Sequence, residues 1–246
     1  MTSPAPTPAA PVTSDQRSGP IRVATATTTG AGHLRAGTGN QDAIHVHVED
    51  TGAVIVALAD GAGSARHAAE GAWHAAQAAT EALSLHAHAP ASAFKQLLDQ
   101  RLTSAGQPAG HYNATIMAAR IEPGGQVILL HCGDSLALHR QADGTFTVSA
   151  EPTEGEFAGE TIFPATSPAD AVQVTYLHTT ALLLSSDGLA PLLLSRRAPH
   201  QPTLAVLADW MLHPDDLTPS MQDLLRHAQD TGRADDDLTL ALIHVA

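Results

Sequence analysis

The stretch Ala53-Val-Ile-Val-Ala-Leu-Ala-Asp60-Gly61 places seven apolar residues in a row and ends them at a carboxylate followed by glycine. An apolar run of this length, closed by a turn signal, predicts a β-strand. Residues 43–49 before it alternate apolar and polar side chains, and Thr51-Gly52 separates the two segments. The pattern predicts a β-hairpin whose second strand ends at Asp60.

Two pairs of helices are predicted on either side of further strands. Residues 64–88 are rich in alanine and contain no proline, and residues 91–103 carry Leu and Phe at helical spacing after Pro90. Residues 204–212 and 221–229 have a similar helical pattern. Helices grouped in this way, rather than one after every strand, favour a layered α+β domain over a doubly wound parallel sheet.

The other apolar segments are short and predict strands. A strand at residues 22–29 precedes a glycine-rich loop at 30–39, and a last strand covers 238–245. An antiparallel meander is predicted at 114–121, 127–132 and 136–140, and another strand pair at 172–178 and 181–185.

Composition excludes several classes of protein. The 246 residues carry a formal net charge of −13 and 3% aromatic residues, which disfavours nucleic acid and anionic membranes as partners. The lone Cys132 cannot form an internal disulfide, and no apolar run approaches the length of a membrane span. We expect a cytoplasmic protein with a disordered Pro- and Ala-rich tail at residues 1–20 and a single domain at residues 21–246.

Acidic side chains recur where predicted strands end. Asp60, Asp134 and Asp187 each follow an apolar strand, and Asp236 lies just before the last one. Carboxylates gathered at one place repel one another unless a divalent cation neutralises them. Oxygen ligands without thiolates favour Mg²⁺ or Mn²⁺ over Zn²⁺. Two such ions about 4 Å apart can convert a shared water into a hydroxide that attacks phosphorus in line, so phosphoester hydrolysis is the expected chemistry.

Simpler interpretations remain open for single motifs. An Asp-Gly pair is common in ordinary turns, and residues 235–237 could form a solvated acidic loop. A zinc site at His45 and His47 or at His86 and His88 lacks cysteine partners and a His-Glu-x-x-His motif.

Taken together, six short motifs resemble the metal-dependent protein phosphatase 2C family, and residues 154–164 with His33 resemble its compact bacterial branch. In chain order the motifs are Asn40-Gln41-Asp42, Asp60-Gly61-Ala62-Gly63, Asn113-Ala114-Thr115, Gly133-Asp134-Ser135, Ser186-Asp187-Gly188 and Asp236-Asp237-Leu238-Thr239. The resemblance implies an α-β-β-α sandwich, in which two packed antiparallel sheets are flanked by helix pairs. It also implies a serine/threonine protein phosphatase that uses a hydroxide bridging two divalent metals.

The resemblance assigns roles to individual residues. Asp60 would bridge both ions, Asp187 and Asp236 would complete the first site, and the Gly61 carbonyl would bind the second ion. Two further carboxylates are implied, with Asp42 holding waters of the second ion and Asp134 binding a third ion. Thr115 matches a small hydroxyl position near the metals and is a candidate catalytic residue.

Three positions depart from the family pattern. Ala62 replaces a histidine that many relatives have as a candidate acid, and Gln41 replaces a glutamate, which removes one negative charge near the second ion. The phosphate-binding arginine is ambiguous, with Arg35, Arg22 and His33 as candidates.

The expected partners are a phosphorylated protein substrate and its cognate serine/threonine kinase, and the expected oligomeric state is a monomer. The replacements at positions 62 and 41 leave one alternative, a catalytically silent phosphatase-like module that binds a partner. Turnover in the presence of metal separates the two hypotheses.

Overall fold

The computed structural model describes residues 11–150, 152–153, 161–213, 215–230 and 235–246. Strands in these ranges are β1 (Val12–Ser18), β2 (Ile21–Thr28), β3 (Asp42–Val48), β4 (Val54–Asp60), β5 (Ile116–Ile121), β6 (Gln126–Cys132), β7 (Leu136–Arg140), β8 (Phe146–Val148), β9 (Gln173–His178), β10 (Ala181–Ser185), β11 (Leu194–Ser195), β12 (Ala198–Pro199) and β13 (Leu238–Val245). Helices are α1 (Ala31–Ala36), α2 (Ala68–Leu85), α3 (Pro90–Ala105), α4 (Ala190–Leu193), α5 (Gln201–Leu212) and α6 (Thr218–Asp230), with short 3₁₀ turns at Ala109–Tyr112, Ala169–Ala171 and Asp187–Leu189.

Two antiparallel sheets form the middle of the molecule. Sheet I has the strand order β1-β2-β13-β10-β7-β8, and sheet II has the order β3-β4-β5-β6-β9. Helices α2 and α3 cover the outer face of sheet II, and α5 and α6 cover the outer face of sheet I. The predicted α-β-β-α sandwich is confirmed.

Both faces of the central strands are buried, as their apolar runs require. On β4, Ile55, Ala57 and Ala59 face the α2 layer, whereas Val54 and Val56 lie between the sheets. Helix α2 presents small residues to its neighbours, and a Cβ on Gly71 would lie 2.2 Å from the carbonyl oxygen of Tyr112 in the 3₁₀ turn that precedes β5. Close packing of this layer fixes where the ends of the sheet II strands lie.

Two strand pairings predicted from the sequence are wrong. Strands β5 and β6 pair as expected, but β7 belongs to sheet I, where it pairs with β10. Likewise β9 pairs with β6 in sheet II while β10 pairs with β13 in sheet I. The short connections at 133–135 and 179–180 are therefore crossings between sheets, and turn residues alone do not distinguish a crossing from a hairpin.

Two other expectations need correction. The predicted tail at residues 1–20 includes β1, whose Val12–Ser18 pairs with β2 along its whole length as the edge of sheet I; residues 1–10 lie outside the described ranges. The predicted loop at 30–39 contains α1, which ends at Gly37 in the left-handed conformation that glycine adopts readily. Among the described residues, no helix combines the length and apolar character that a membrane-spanning segment requires.

Candidate metal-binding site

Acidic side chains from both sheets meet at one edge of the sandwich. Asp60 ends β4 and lies directly opposite Asp42, the first residue of β3. Residues opposite each other in an antiparallel pair point to the same face. In sheet I, β10 and β13 are neighbours, so Asp187 after β10 and Asp236 before β13 lie at the same end. The charges of Asp42, Asp187 and Asp236 all act on the carboxyl of Asp60, which places the four groups in one cluster.

The cluster raises the pKa of its central members. Burial raises the pKa of Asp60 to about 10, and the charges of Asp42, Asp187 and Asp236 add to the shift. Burial, followed by the charges of Asp134 and Asp236, raises the pKa of Asp187 to about 6. Asp60 in its protonated form donates a hydrogen bond to the carboxylate of Asp187. Without a cation, the protein therefore keeps a proton at Asp60 near neutral pH.

Asp42 is buried among hydroxyl donors. The Thr239 hydroxyl donates to its Oδ2 at 2.7 Å, and Ser186 donates a second hydrogen bond. Burial and the charges of Asp237 and Asp236 outweigh these two donors and raise the pKa of Asp42 to about 7. Thr239 on β13 and Ser186 just after β10 therefore hold the carboxylate of Asp42 in place.

The remaining oxygen atoms fit a hard divalent cation. Within the described part of the chain, Asp42 Oδ1, Asp187 Oδ1 and Gln41 Oε1 are buried without a hydrogen-bond partner. Buried oxygens without partners are costly unless another positive group satisfies them. Carboxylate and amide oxygens are the ligands that Mg²⁺ and Mn²⁺ prefer. The donor set therefore fits the expected ions.

Gly61 lies between the first residue of α2 and the backbone of Gln41. Its N–H donates to the Gln41 carbonyl at 3.2 Å. A Cβ at this position would lie 2.6 Å from the carbonyl oxygen of Ala68 and 2.8 Å from that of Gln41. Glycine is required because only a backbone without a side chain fits between these two segments.

The acidic loop at residues 235–237 is docked against α1. Asp237 is 1% exposed, and its two carboxylate oxygens accept hydrogen bonds from the N–H groups of Gly30 at 2.7 Å and Gln41 at 2.6 Å. A Cβ on Gly30 would lie 2.1 Å from the Asp236 carbonyl oxygen. Asp237 thus joins three segments, while the side chain of Asp236 remains about half exposed, at 52%.

Two candidate phosphate-binding residues lie on α1 beside this loop. His33 Nδ1 is 2.9 Å from Asp237 Oδ2. The Arg35 guanidinium donates to Asp235 at 2.7 Å, and both side chains are largely exposed. The structure thus brings His33 and Arg35 to the edge of the site.

Arg22, the third candidate, is not at the site, and this prediction is wrong. It pairs with His244 on β13, whereas the site end of the same strand pair is Thr28 opposite Leu238. Six residues of strand correspond to about 20 Å. The buried guanidinium donates to Asp15, at 2.5 Å, and to the carbonyls of Met211, His213 and Asp215. Three of these four partners, the carbonyls of Met211, His213 and Asp215, are distant in sequence, so the residues around Arg22 do not reveal them.

Asp134 and Thr115 lie on the sheet II side of the cluster. Asp134 acts electrostatically on Asp187, and its Oδ2 accepts a hydrogen bond from Thr161 at 2.7 Å. Thr115 is 3% exposed, and its hydroxyl contacts Ser135 Oγ at 3.0 Å and accepts from the Asp60 N–H at 3.3 Å. These contacts give Thr115 a role in positioning Asp60, and a direct catalytic role stays a prediction.

Sequence reasoning missed three supporting residues. Thr239, Ser186 and Asp237 all fall inside motifs quoted above, yet their types alone do not reveal their contacts. One sequence signal could have identified them. Each is a polar residue at the start or end of an apolar strand, close in sequence to a candidate metal ligand. The expected bacterial-branch segment at 154–164 falls largely outside the described residues, because 154–160 are not among them.

The fold and the site define a two-sheet α-β-β-α protein with a carboxylate centre for divalent cations. The family model described as protein phosphatase 2C matches residues 29–240. The chain belongs to the protein phosphatase 2C family, a family of metal-dependent phosphoprotein phosphatases.

Solved structures share the fold at low sequence identity. The serine/threonine phosphatase of S. agalactiae superposes with a TM-score of 0.68 at 20% identity, covering 92% of this chain and 100% of that chain. RsbX in complex with magnesium gives 0.64 at 13% identity, covering 96% and 100%. Stp1 from Staphylococcus aureus gives 0.66 at 15% identity, covering 91% and 94%. No curated protein sequence matches this chain significantly.

Proposed function

We propose that this protein removes phosphate from phosphoserine or phosphothreonine in proteins, using two Mg²⁺ or Mn²⁺ ions and a third, weaker ion near Asp134. The observation that carries the proposal is the meeting of Asp42, Asp60 and Asp187 at one edge, with pKa values of about 7, 10 and 6. Groups with strongly shifted pKa values that converge in this way are typical of functional sites.

The chain contributes a preorganised set of ligands. Asp60 lies between the two halves of the site, with Asp187 and Asp236 on the sheet I side and Asp42 with the Gly61 carbonyl on the sheet II side. When bound, the divalent ions would supply an activated water for in-line attack on phosphorus. Occupation of the site would displace the proton that Asp60 otherwise shares with Asp187, so metal binding releases a proton.

Arg35 is the group we propose to hold the phosphate, and His33 lies beside it and lines the same pocket. Both lie on α1, which the Gly30 and Gly32 backbones hold against the acidic loop. Arg35 is paired only at the surface, with an exposed Asp235, and such a pair contributes little stability. The guanidinium can therefore exchange this partner for a phosphate oxygen at small cost.

Replacing single carboxylates by amides tests the assignment. We expect Asp60→Asn and Asp187→Asn to abolish hydrolysis of p-nitrophenyl phosphate and of a phosphothreonine peptide in saturating Mn²⁺. Asp50→Asn is the matched control, because Asp50 is exposed at the opposite end of the same hairpin. Circular dichroism should show all three variants folded. Wild-type turnover in Asp60→Asn or Asp187→Asn would overturn the proposal.

The catalytically silent module is not favoured, because the chain retains the carboxylates at the site. Calorimetry with Mn²⁺ followed by a turnover assay over a range of metal concentrations separates the two functions. Binding without turnover would favour the silent module. We further propose that the protein acts as a cytoplasmic monomer opposite a serine/threonine kinase, which sedimentation and a phosphoproteomic comparison of a deletion strain with its parent would test.

A further inference from the structure

His33 has an unusual relation to the acidic loop. Its Nδ1 atom lies 2.9 Å from Asp237 Oδ2 and 3.9 Å from Asp236 Oδ1. Ligand atoms of His33, Asp236 and Asp237 all lie within 4.8 Å of one another. Yet within the described residues this buried nitrogen has no partner in hydrogen-bond geometry. A nitrogen close to two carboxylates but not hydrogen-bonded to them points to a shared cation instead.

The distances suit neighbouring ligands of one ion. Ligands about 2.1–2.2 Å from an octahedral ion are roughly 3 Å apart when they occupy adjacent positions. The separations of 2.9 Å and 3.9 Å lie on either side of this value. Asp236 Oδ1 accepts from the Asp237 N–H at 2.8 Å, and the half-exposed side chain leaves room for its other carboxylate oxygen to approach the ion. Asp237 has spare acceptor capacity, because each oxygen accepts one backbone N–H and a carboxylate oxygen offers two lone pairs.

The backbone around His33 holds the imidazole in place. The Gly32 N–H donates to the Asp235 carbonyl at 2.8 Å, and the Gly30 N–H donates to Asp237. A Cβ on Gly32 would lie 2.7 Å from the Asp235 carbonyl oxygen, so the start of α1 touches the loop backbone just before His33. These backbone contacts hold the helix turn that carries His33 against the loop.

We propose that His33 Nδ1 is a nitrogen ligand of the ion that Asp236 holds, and that it makes the site prefer Mn²⁺ to Mg²⁺. The inference rests on the proposed function and specifies its metal. An imidazole ligand suits transition metals, whereas Mg²⁺ prefers oxygen ligands and water. Asp237 would bind the same ion through Oδ2, the oxygen that lies 2.9 Å from Nδ1.

Pulsed electron paramagnetic resonance of bound Mn²⁺ tests the ligand directly. The wild-type protein should show a coupling to a ligated ¹⁴N, and incorporation of ¹⁵N-histidine should convert it to the ¹⁵N pattern. His33→Gln should lose the coupling. His47→Gln is the control, since His47 is exposed and lies five residues along β3 from Asp42, and it should retain the signal.

Calorimetry tests the metal preference independently. We expect His33→Gln to bind Mn²⁺ at least tenfold more weakly, the lower end of the loss usual when a group at a metal site is removed, and Mg²⁺ with little change. Even if the variant fails to fold, the absence of a histidine coupling in the labelled wild-type protein would overturn the ligand.

The outcomes separate the inference from the proposed function. Bound Mn²⁺ and normal turnover without a histidine coupling would overturn the role of His33 and leave the phosphatase assignment standing. A histidine coupling without turnover would support the ligand and contradict the enzyme. Absence of Mn²⁺ binding would overturn both.

Discussion

Stability of the metal-free protein should fall as the pH rises from 7 to 9, and Asp60 is the main cause. The folded-state pKa of Asp60 is about 10, because the site is buried and surrounded by carboxylates. In the unfolded chain the group is ionised above about pH 4. At Asp60 the folded state therefore binds one more proton than the unfolded state throughout this interval, and each further pH unit destabilises the folded state.

The expected loss follows from proton linkage. One extra bound proton costs about 1.4 kcal/mol per pH unit, or about 3 kcal/mol between pH 7 and pH 9. The interval avoids an opposing trend, because burial lowers the pKa of His45, His139 and His244. These histidines must take up protons on unfolding in acid, so they lower stability only below about pH 6.5.

Urea denaturation with a chelator at several pH values measures this effect. Saturating Mn²⁺ should remove the decline, because the ion takes the place of the proton. Asp60→Asn should also remove most of it in the metal-free protein, since the amide cannot ionise but can still donate to Asp187. Stability that stays level or rises from pH 7 to pH 9 in metal-free wild-type protein would refute the reasoning.

Three further predictions address the supporting structure. Thr239→Val removes the donor to Asp42 and should weaken Mn²⁺ binding about tenfold by calorimetry; unchanged affinity would count against this contact. Arg22→Met removes the guanidinium paired with Asp15, whose side chain is only 10% exposed, and should lower the unfolding free energy by about 3 kcal/mol. Mn²⁺-dependent turnover of the folded fraction should stay normal, and loss of turnover without loss of stability would place Arg22 at the site. Gly30→Ala should push α1 away from the acidic loop and weaken Mn²⁺ binding. Gly39→Ala is the control, because its added Cβ would have nothing within 4 Å, and it should bind Mn²⁺ normally. Equal Mn²⁺ affinities of the two variants would show that the contact is unimportant.

The parts of the site that sequence predicts best are those carried by local signals. Asp60 ends the apolar strand β4, and Asp187 lies two residues beyond the end of the apolar strand β10. The strand pattern therefore predicts where each of these aspartates lies relative to its strand. The order of the motifs, which resembles the family's, suggests that the strand ends meet. Helix pairs were predictable for the same reason, since the Ala-rich composition of α2 and the leucine spacing of α3 are local properties.

The remaining errors concern contacts between residues that are distant in sequence. Whether Gly133 turns the chain back or crosses to the other sheet depends on which sheet buries the next strand, and no local residue decides this. Arg22 lies on β2, and the other end of this strand reaches the site. The pairing of Arg22 with Asp15 shows that its side chain lies at the end of the strand away from the site. Helix α1 lies in a glycine-rich stretch because two of these glycines contact the acidic loop. From composition alone, the same glycines predict a loop rather than a helix.

Crystals grown with Mn²⁺ and measured at an X-ray energy where manganese scatters anomalously offer the most direct test of the phosphatase centre. We expect anomalous peaks within about 2.3 Å of carboxylate oxygens of Asp60, Asp187 and Asp236, with Asp60 contacting two of them. Peaks confined to other parts of the surface, with these three carboxylates unoccupied, would contradict the assignment of this edge as the catalytic metal centre.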